Sequence, residues 1–195
     1  MARLAALPAT FTTSTARAAG VQFRDLYAAR DAGVLVELSR GVFRKADAPL
    51  ATYPDLLAVA YRAPRAVVCL LSAAAVHDLT DENPLAVQIA VAKGTWPPRI
   101  THPPVEVFTW DRAGAEIGIE LVEAAPGEPV RVYSAPRTVV DLMRLRARIG
   151  EPVAHVALRR YLARRDARVG ELLELARILD VLGPVQVALD VLTAS

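Results

Sequence analysis

Three glycines, Gly20, Gly33 and Gly41, divide the first 45 residues into two short helical stretches and two extended ones. Thr12-Thr13-Ser14 supplies hydroxyls that can accept from the free backbone N–H groups at a helix start. A short helix is predicted from there to Ala19, with Gly20 making the turn. Gln22 to Ala32 then places Phe23, Leu26, Tyr27 and Ala29 at helical spacing, and Gly33 stops the pattern. Val34–Leu38 reads as a strand, Ser39-Arg40-Gly41 as a tight turn and Val42–Arg44 as the returning strand. Met1 to Ala9 is a further short helical candidate.

Helix, turn, helix and hairpin is the order of a winged helix-turn-helix, whose second helix lies in the DNA major groove. On that reading the second helix offers Gln22, Arg24, Asp25, Tyr27 and Arg30. Glutamine can pair with adenine, and arginine can give guanine two hydrogen bonds. Thr12, Thr13, Ser14 and Arg17 of the first helix would reach phosphates, as would Ser39, Arg40, Arg44 and Lys45 of the hairpin. Winged helices also serve as protein-binding modules, so an interaction module stays open at this point.

Residues 46–54, with Pro49 and Pro54, read as a linker. This divides the chain into a DNA-binding domain, residues 1–48, and a second domain, residues 53–195. Helices are predicted at Tyr53–Ala63 and Pro64–Val76, parted where Pro64 disfavours helix at its predecessor. Strands are predicted at 86–91, 105–110, 117–122 and 130–133. Thr95 to Pro104 carries four prolines and is expected to be irregular. Ser134 and Pro136 start a helix that should run to Ile149 and stop at Gly150. More helices follow at 152–165, at 170–182 and from Pro184 onward. The expected fold class is α+β: an N-terminal winged helix-turn-helix, then a mixed α/β domain with a small sheet and a helical C-terminus.

With 53% hydrophobic and 23% charged residues, the chain can build a core. Its one cysteine, Cys69, lies in an apolar run and cannot close an intramolecular disulfide, which points to a cytoplasmic protein. The longest apolar stretch, Ala66 to Val76, is about half of what a membrane span needs, and no membrane partner is expected. The net charge of +2 hides a pattern: residues 1–50 carry +3, 51–130 carry −5 and 131–195 carry +4. Basic ends suggest an acidic or polyanionic partner.

Arg137, Arg144 and Arg148 share one helical face, with Asp141 between them. Arg159, Arg160, Arg164, Arg165 and Arg168 follow on and after the next helix. Arg144, Arg148 and these five form a candidate partner surface or second DNA surface, against the simpler alternative of a solvated helix face. Enzyme signatures are missing. His77, His102 and His155 lack metal-ligand spacing, so neither metal nor cofactor is expected. Ser72, His77 and Asp78 crowd one short stretch without a nucleophile elbow. There is no phosphate-binding glycine loop, no Asp-x-Asp metal pair and no Glu-x-Lys nuclease pair.

Five blocks in order resemble the AbiEi-type antitoxins of type IV, abortive-infection toxin–antitoxin systems. They are Thr12-Thr13, then Asp31-Ala32-Gly33-Val34-Leu35, then Leu38-Ser39-Arg40-Gly41-Val42-Phe43-Arg44. Leu71-Ser72-Ala73-Ala74-Ala75-Val76-His77-Asp78-Leu79-Thr80 and Val132-Tyr133-Ser134-Ala135-Pro136-Arg137-Thr138-Val139-Val140-Asp141-Leu142 complete the set. Phe43 stands where the family commonly has tyrosine, and Asp78 where it often has glycine. The resemblance implies a protein with no catalytic residue. It would bind inverted repeats in its own operon's promoter through the winged helix and repress it. Its second domain would neutralise a cognate nucleotidyltransferase-like toxin, with or without a direct complex. The alternatives kept beside it are a winged-helix interaction module and a nuclease-related, DNA-processing protein. Arg137 and Asp141 are expected to form a buried pair that serves folding.

Overall fold

The computed structural model describes residues 2–193 of the chain. Its elements run α1 (Ala2–Ala5), β1 (Thr10–Thr12), α2 (Thr13–Ala18), α3 (Phe23–Asp31), β2 (Leu35–Ser39), β3 (Val42–Lys45) and α4 (Pro54–Arg62). Next come β4 (Val67–Val68), α5 (Leu70–Val76), β5 (Val87–Ala92), β6 (Val105–Trp110), α6 (Arg112–Ala115), β7 (Ile119–Ala125) and β8 (Glu128–Tyr133). Five helices close the chain: α7 (Ala135–Arg144), α8 (Arg146–Ile149), α9 (Glu151–Leu162), α10 (Val169–Ile178) and α11 (Leu182–Thr193). The fold is mixed α+β with two small sheets. Met1, in the N-terminal helical candidate, lies outside the described residues.

Two compact units divide the chain. The first holds Met1–Arg65, Pro97–Val105 and Val122–Val130; the second holds Ala66–Trp96, Glu106–Leu121 and Arg131–Ser195. The first unit thus runs past residue 48, where the linker was expected. The reason is α4. Leu56, Leu57, Ala58 and Val59 are buried, and the Tyr61 hydroxyl donates to the Thr10 carbonyl at 3.0 Å.

In the first unit the sheet order is β1-β3-β2, all antiparallel. Thr10 faces Arg44, Phe11 faces Phe43 and Thr12 faces Val42. A bulge between Glu37 and Ser39 bends β2 just before the turn. Leu4, Leu7, Phe11, Ala16, Val21, Leu26, Ala29, Leu35 and Phe43 form the core, with the Phe11 and Phe43 rings stacked at 6.1 Å. The strand β1 was not legible in the sequence: three residues show no alternation, and β3 alone gives them a partner.

The five-stranded sheet has the order β6-β5-β4-β8-β7, with β4 antiparallel to β5 and parallel to β8. This corrects the helix expected over Pro64–Val76. Val67 and Val68 are strand, and helix begins only at Leu70. A short apolar run reads equally as strand or buried helix, and two adjacent valines fit the strand better. The helix expected to reach Ile149 is interrupted at Leu145, between α7 and α8. Helix α7 is buried along Ala135–Met143, as a helix surrounded by core must be. At its centre Arg137 Nε donates to Asp141 Oδ2 at 2.9 Å, with both side chains 0% exposed. Arg137 also donates to the carbonyls of Gly114 and Ile117, so the pair serves folding as the motif suggested.

Candidate nucleic-acid interface

Thr12 caps the start of α2, its hydroxyl accepting from the Thr15 N–H at 3.2 Å. Residues 19–22 lead to α3, which buries Leu26 and Ala29 and leaves the rest of its surface outward. The hairpin turn is fixed to the start of α2. Thr13 donates to the Gly41 carbonyl from its N–H at 2.9 Å and from its hydroxyl at 3.1 Å. The Gly41 N–H in turn donates to Glu37 Oε1 at 3.0 Å. Gly41 has φ +77°, and a Cβ there would sit 2.9 Å from the Thr13 hydroxyl, so only glycine fits.

Several predicted residues share an open surface. Ser14, Arg17, Gln22, Arg24 and Tyr27 are exposed along α2 and α3, and Arg40 is exposed on the turn. Arg24 has 92% of its side chain in solvent, with only a 3.7 Å contact to Asp25. Arg17 lies over the exposed Phe23 ring at 5.4 Å. Gln22 precedes the first turn of α3 and makes no capping bond with its side chain.

Other predicted residues turn inward. Arg44 is 6% exposed and bonds the Thr10 hydroxyl, the Glu128 carboxylate and the Pro49 carbonyl. Ser39 is buried. Lys45 donates to the Ala5 and Leu7 carbonyls. Thr12 and Thr13 are committed to the cap and the turn. Arg30 bonds Asp31 and Glu37, which raise its pKa, and lies over the Tyr27 ring at 4.8 Å. The expectation that Ser39, Arg44 and Lys45 reach phosphates is corrected. Arg44 and Lys45 are neighbours in β3 and point to opposite faces, yet each meets acceptors of the protein there: Arg44 the Thr10 hydroxyl, Glu128 and the Pro49 carbonyl, and Lys45 the Ala5 and Leu7 carbonyls.

The candidate second surface is also broken up. Arg148 bonds Glu106 at 2.7 Å and lies over Phe108, while Arg144 lies over the Trp110 ring at 5.2 Å. Arg160 bonds Asp81, and its hydrogen bond holds that carboxyl below the usual range. Arg164 bonds Asp166 and the His77 carbonyl, and Asp166 is lowered in the same way. Arg168 lies 3.7 Å from Glu171. Arg159 and Arg165 remain exposed. The seven arginines do not make one bare cationic face.

His77 is buried, with Nε2 2.7 Å from the Tyr133 carbonyl, so it is a packing residue. Burial pushes the Cys69 thiol well up, away from nucleophilic chemistry. Among the described residues no group of three or more metal-ligating side chains exists, and no helix is long and apolar enough to cross a membrane.

No protein-family model matches the chain, and no curated protein does. A solved structure does match: the RV2827C protein from Mycobacterium tuberculosis, at 15% identity and a TM-score of 0.51. The match covers 94% of this chain and 76% of that one. At that identity the likeness is one of fold.

Proposed function

We propose that the chain binds duplex DNA through α2, α3 and the β2–β3 hairpin, as a winged helix-turn-helix, and represses the promoter of its own operon. Gln22, Arg24 and Tyr27 read base edges in the major groove, while Ser14, Arg17 and Arg40 hold phosphates. One observation carries the reading: α3 stands outward with its polar side chains unburied, next to a hairpin whose turn is bonded to α2. A helix offered to a groove needs support from its neighbours: Arg30 of α3 bonds Glu37 of β2 at 2.9 Å, and the Thr13–Gly41 bonds hold the turn to α2.

The antitoxin role is the second half of the proposal. It rests on the five blocks shared in order with AbiEi-type antitoxins, and it assigns neutralisation of a nucleotidyltransferase-like toxin to the second unit. The test has two arms. Salt-titrated binding to DNA just upstream of the gene, against scrambled DNA of equal length, addresses repression. Co-expression with the neighbouring gene addresses the antitoxin role. Equal affinity for both DNAs ends the regulatory reading, and a toxin phenotype unaltered by this chain ends the other.

A further inference from the structure

Arg62, at the end of α4, donates through Nη1 to the Arg40 carbonyl and through Nη2 to the Arg99 carbonyl, each at 3.1 Å. One planar guanidinium thus ties the hairpin turn to residues 97–105, a stretch of the first unit containing Pro97, Pro98, Pro103 and Pro104. The two bonds leave the side chains of Arg40 and Arg99 outside them, and both residues are exposed. Among the described residues, no carboxylate pairs with Arg40, Arg62 or Arg99. This sets the cluster apart from Arg30, Arg44, Arg148, Arg160 and Arg164, each of which has an acidic partner.

Arg40 and Arg99 leave backbone positions tied to one guanidinium, and neither charge has an acidic partner in the described residues. At physiological salt screening acts over about 8 Å, so an external anion that contacts them directly is their available counter-charge. The cations come from a tight turn and a proline-stiffened strap, not from the walls of a pocket. Such an outward arrangement suits the phosphate backbone of a duplex. The prolines reduce the conformational freedom lost when Arg99 is fixed. Arginine at position 62 spans the two carbonyls with one planar, pre-organised fork, whereas a lysine ammonium on its flexible stem would hold them less rigidly.

We propose that Arg40 and Arg99 form a DNA phosphate clamp beside the hairpin, with Arg62 as the positioning residue that holds both main chains. This replaces Arg44 and Lys45, which face inward, as the phosphate contacts at the hairpin, and it rests on the DNA-binding reading above.

The test uses the full chain and fluorescence anisotropy on the upstream duplex and a scrambled duplex, from low to high salt. Each phosphate contact adds about 0.9 to the slope of log affinity against log salt. R40A/R99A should therefore lose up to about 2 from that slope, equally on both duplexes. R62A should lower the slope and R62K should restore part of it, with thermal stability of all variants near wild type; an R62A slope equal to wild type would remove Arg62 as the positioning residue. R24A, by contrast, should erode the preference for the upstream duplex. If wild type binds and R40A/R99A keeps its slope, the clamp is wrong while the DNA-binding reading stands. If wild type shows no salt-dependent binding to either duplex, both fall.

Discussion

Arg24 and Arg164 are both helix or helix-flanking arginines, yet one stands in solvent and the other is bound on two sides. Arg24 in the first unit touches only the neighbouring Asp25, at 3.7 Å. Arg164 in the second unit grips Asp166 with Nε and Nη2 and the His77 carbonyl with Nη1. The same contrast occurs inside the first unit, between exposed Arg40 and buried Arg44. Charge counted along a sequence therefore overstates the charge available to a partner. What matters is which guanidinium groups the fold leaves without a carboxylate or carbonyl.

The sharpest break of this contrast is at the buried pair. Asp141→Ala leaves the Arg137 charge enclosed, and breaking such a pair costs about 3–5 kcal/mol. Urea unfolding should show that loss; a change under about 1 kcal/mol would mean that the pair relaxes to solvent. Burial, outweighing Arg137, pushes the Asp141 carboxyl up to about 6 from an unfolded value near 3.8. A carboxyl raised on folding binds extra protons in the native state. Its contribution is full below pH ~4 and is lost as pH rises through about 6. Asp141→Asn should remove that part of the pH dependence while remaining less stable than wild type.

Next in size is Arg44→Ala, which leaves the Glu128 carboxylate with only the Tyr61 hydroxyl at 3.4 Å among the described side chains and should cost about 3 kcal/mol. The informative readout is DNA binding by the fraction that remains folded. Its salt slope should match wild type, because Arg44 faces inward. A slope lowered by about 1 would restore Arg44 as a phosphate contact and weaken the distinction between inward and outward arginines.

Gln22→Ala and Arg24→Ala reverse the pattern. Each should leave stability within about 0.5 kcal/mol, since neither residue supports the fold. Each should lower affinity for the upstream duplex by about 1–3 kcal/mol, or roughly 5- to 150-fold, with little change on scrambled DNA. Equal loss on both duplexes would make them phosphate contacts instead of base readers.

The sequence revealed most where a pattern was local. Gly20, Gly33 and Gly41 marked the ends of α2, α3 and the β2–β3 turn because each break needs only its own residues. The Arg137–Asp141 pair was visible because positions four apart meet on a helix. Non-local pairing hid the rest. The strand at Thr10–Thr12 exists through β3, and Val67–Val68 is strand because β5 and β8 flank it. Arg62 and Arg99 drew no notice since 37 residues separate them and neither lies in a motif. The inward turn of Arg44 depends on Glu128, which is 84 residues away.

The smallest effect separates two roles first assigned together to the hydroxyls at 12–14. Thr12 accepts from the Thr15 N–H, so Thr12→Ala should cost about 1 kcal/mol as an ordinary lost cap. Ser14 is exposed and caps nothing; its hydroxyl lies 2.6 Å from that of Thr12. Ser14→Ala should keep the melting temperature and weaken DNA binding slightly on any sequence. Thr12→Ala should do the opposite, with little loss of affinity below its own melting transition. If both changes act only on stability, the start of α2 is structural throughout, and phosphate contact in the first unit falls to Arg17, Arg40 and Arg99 alone.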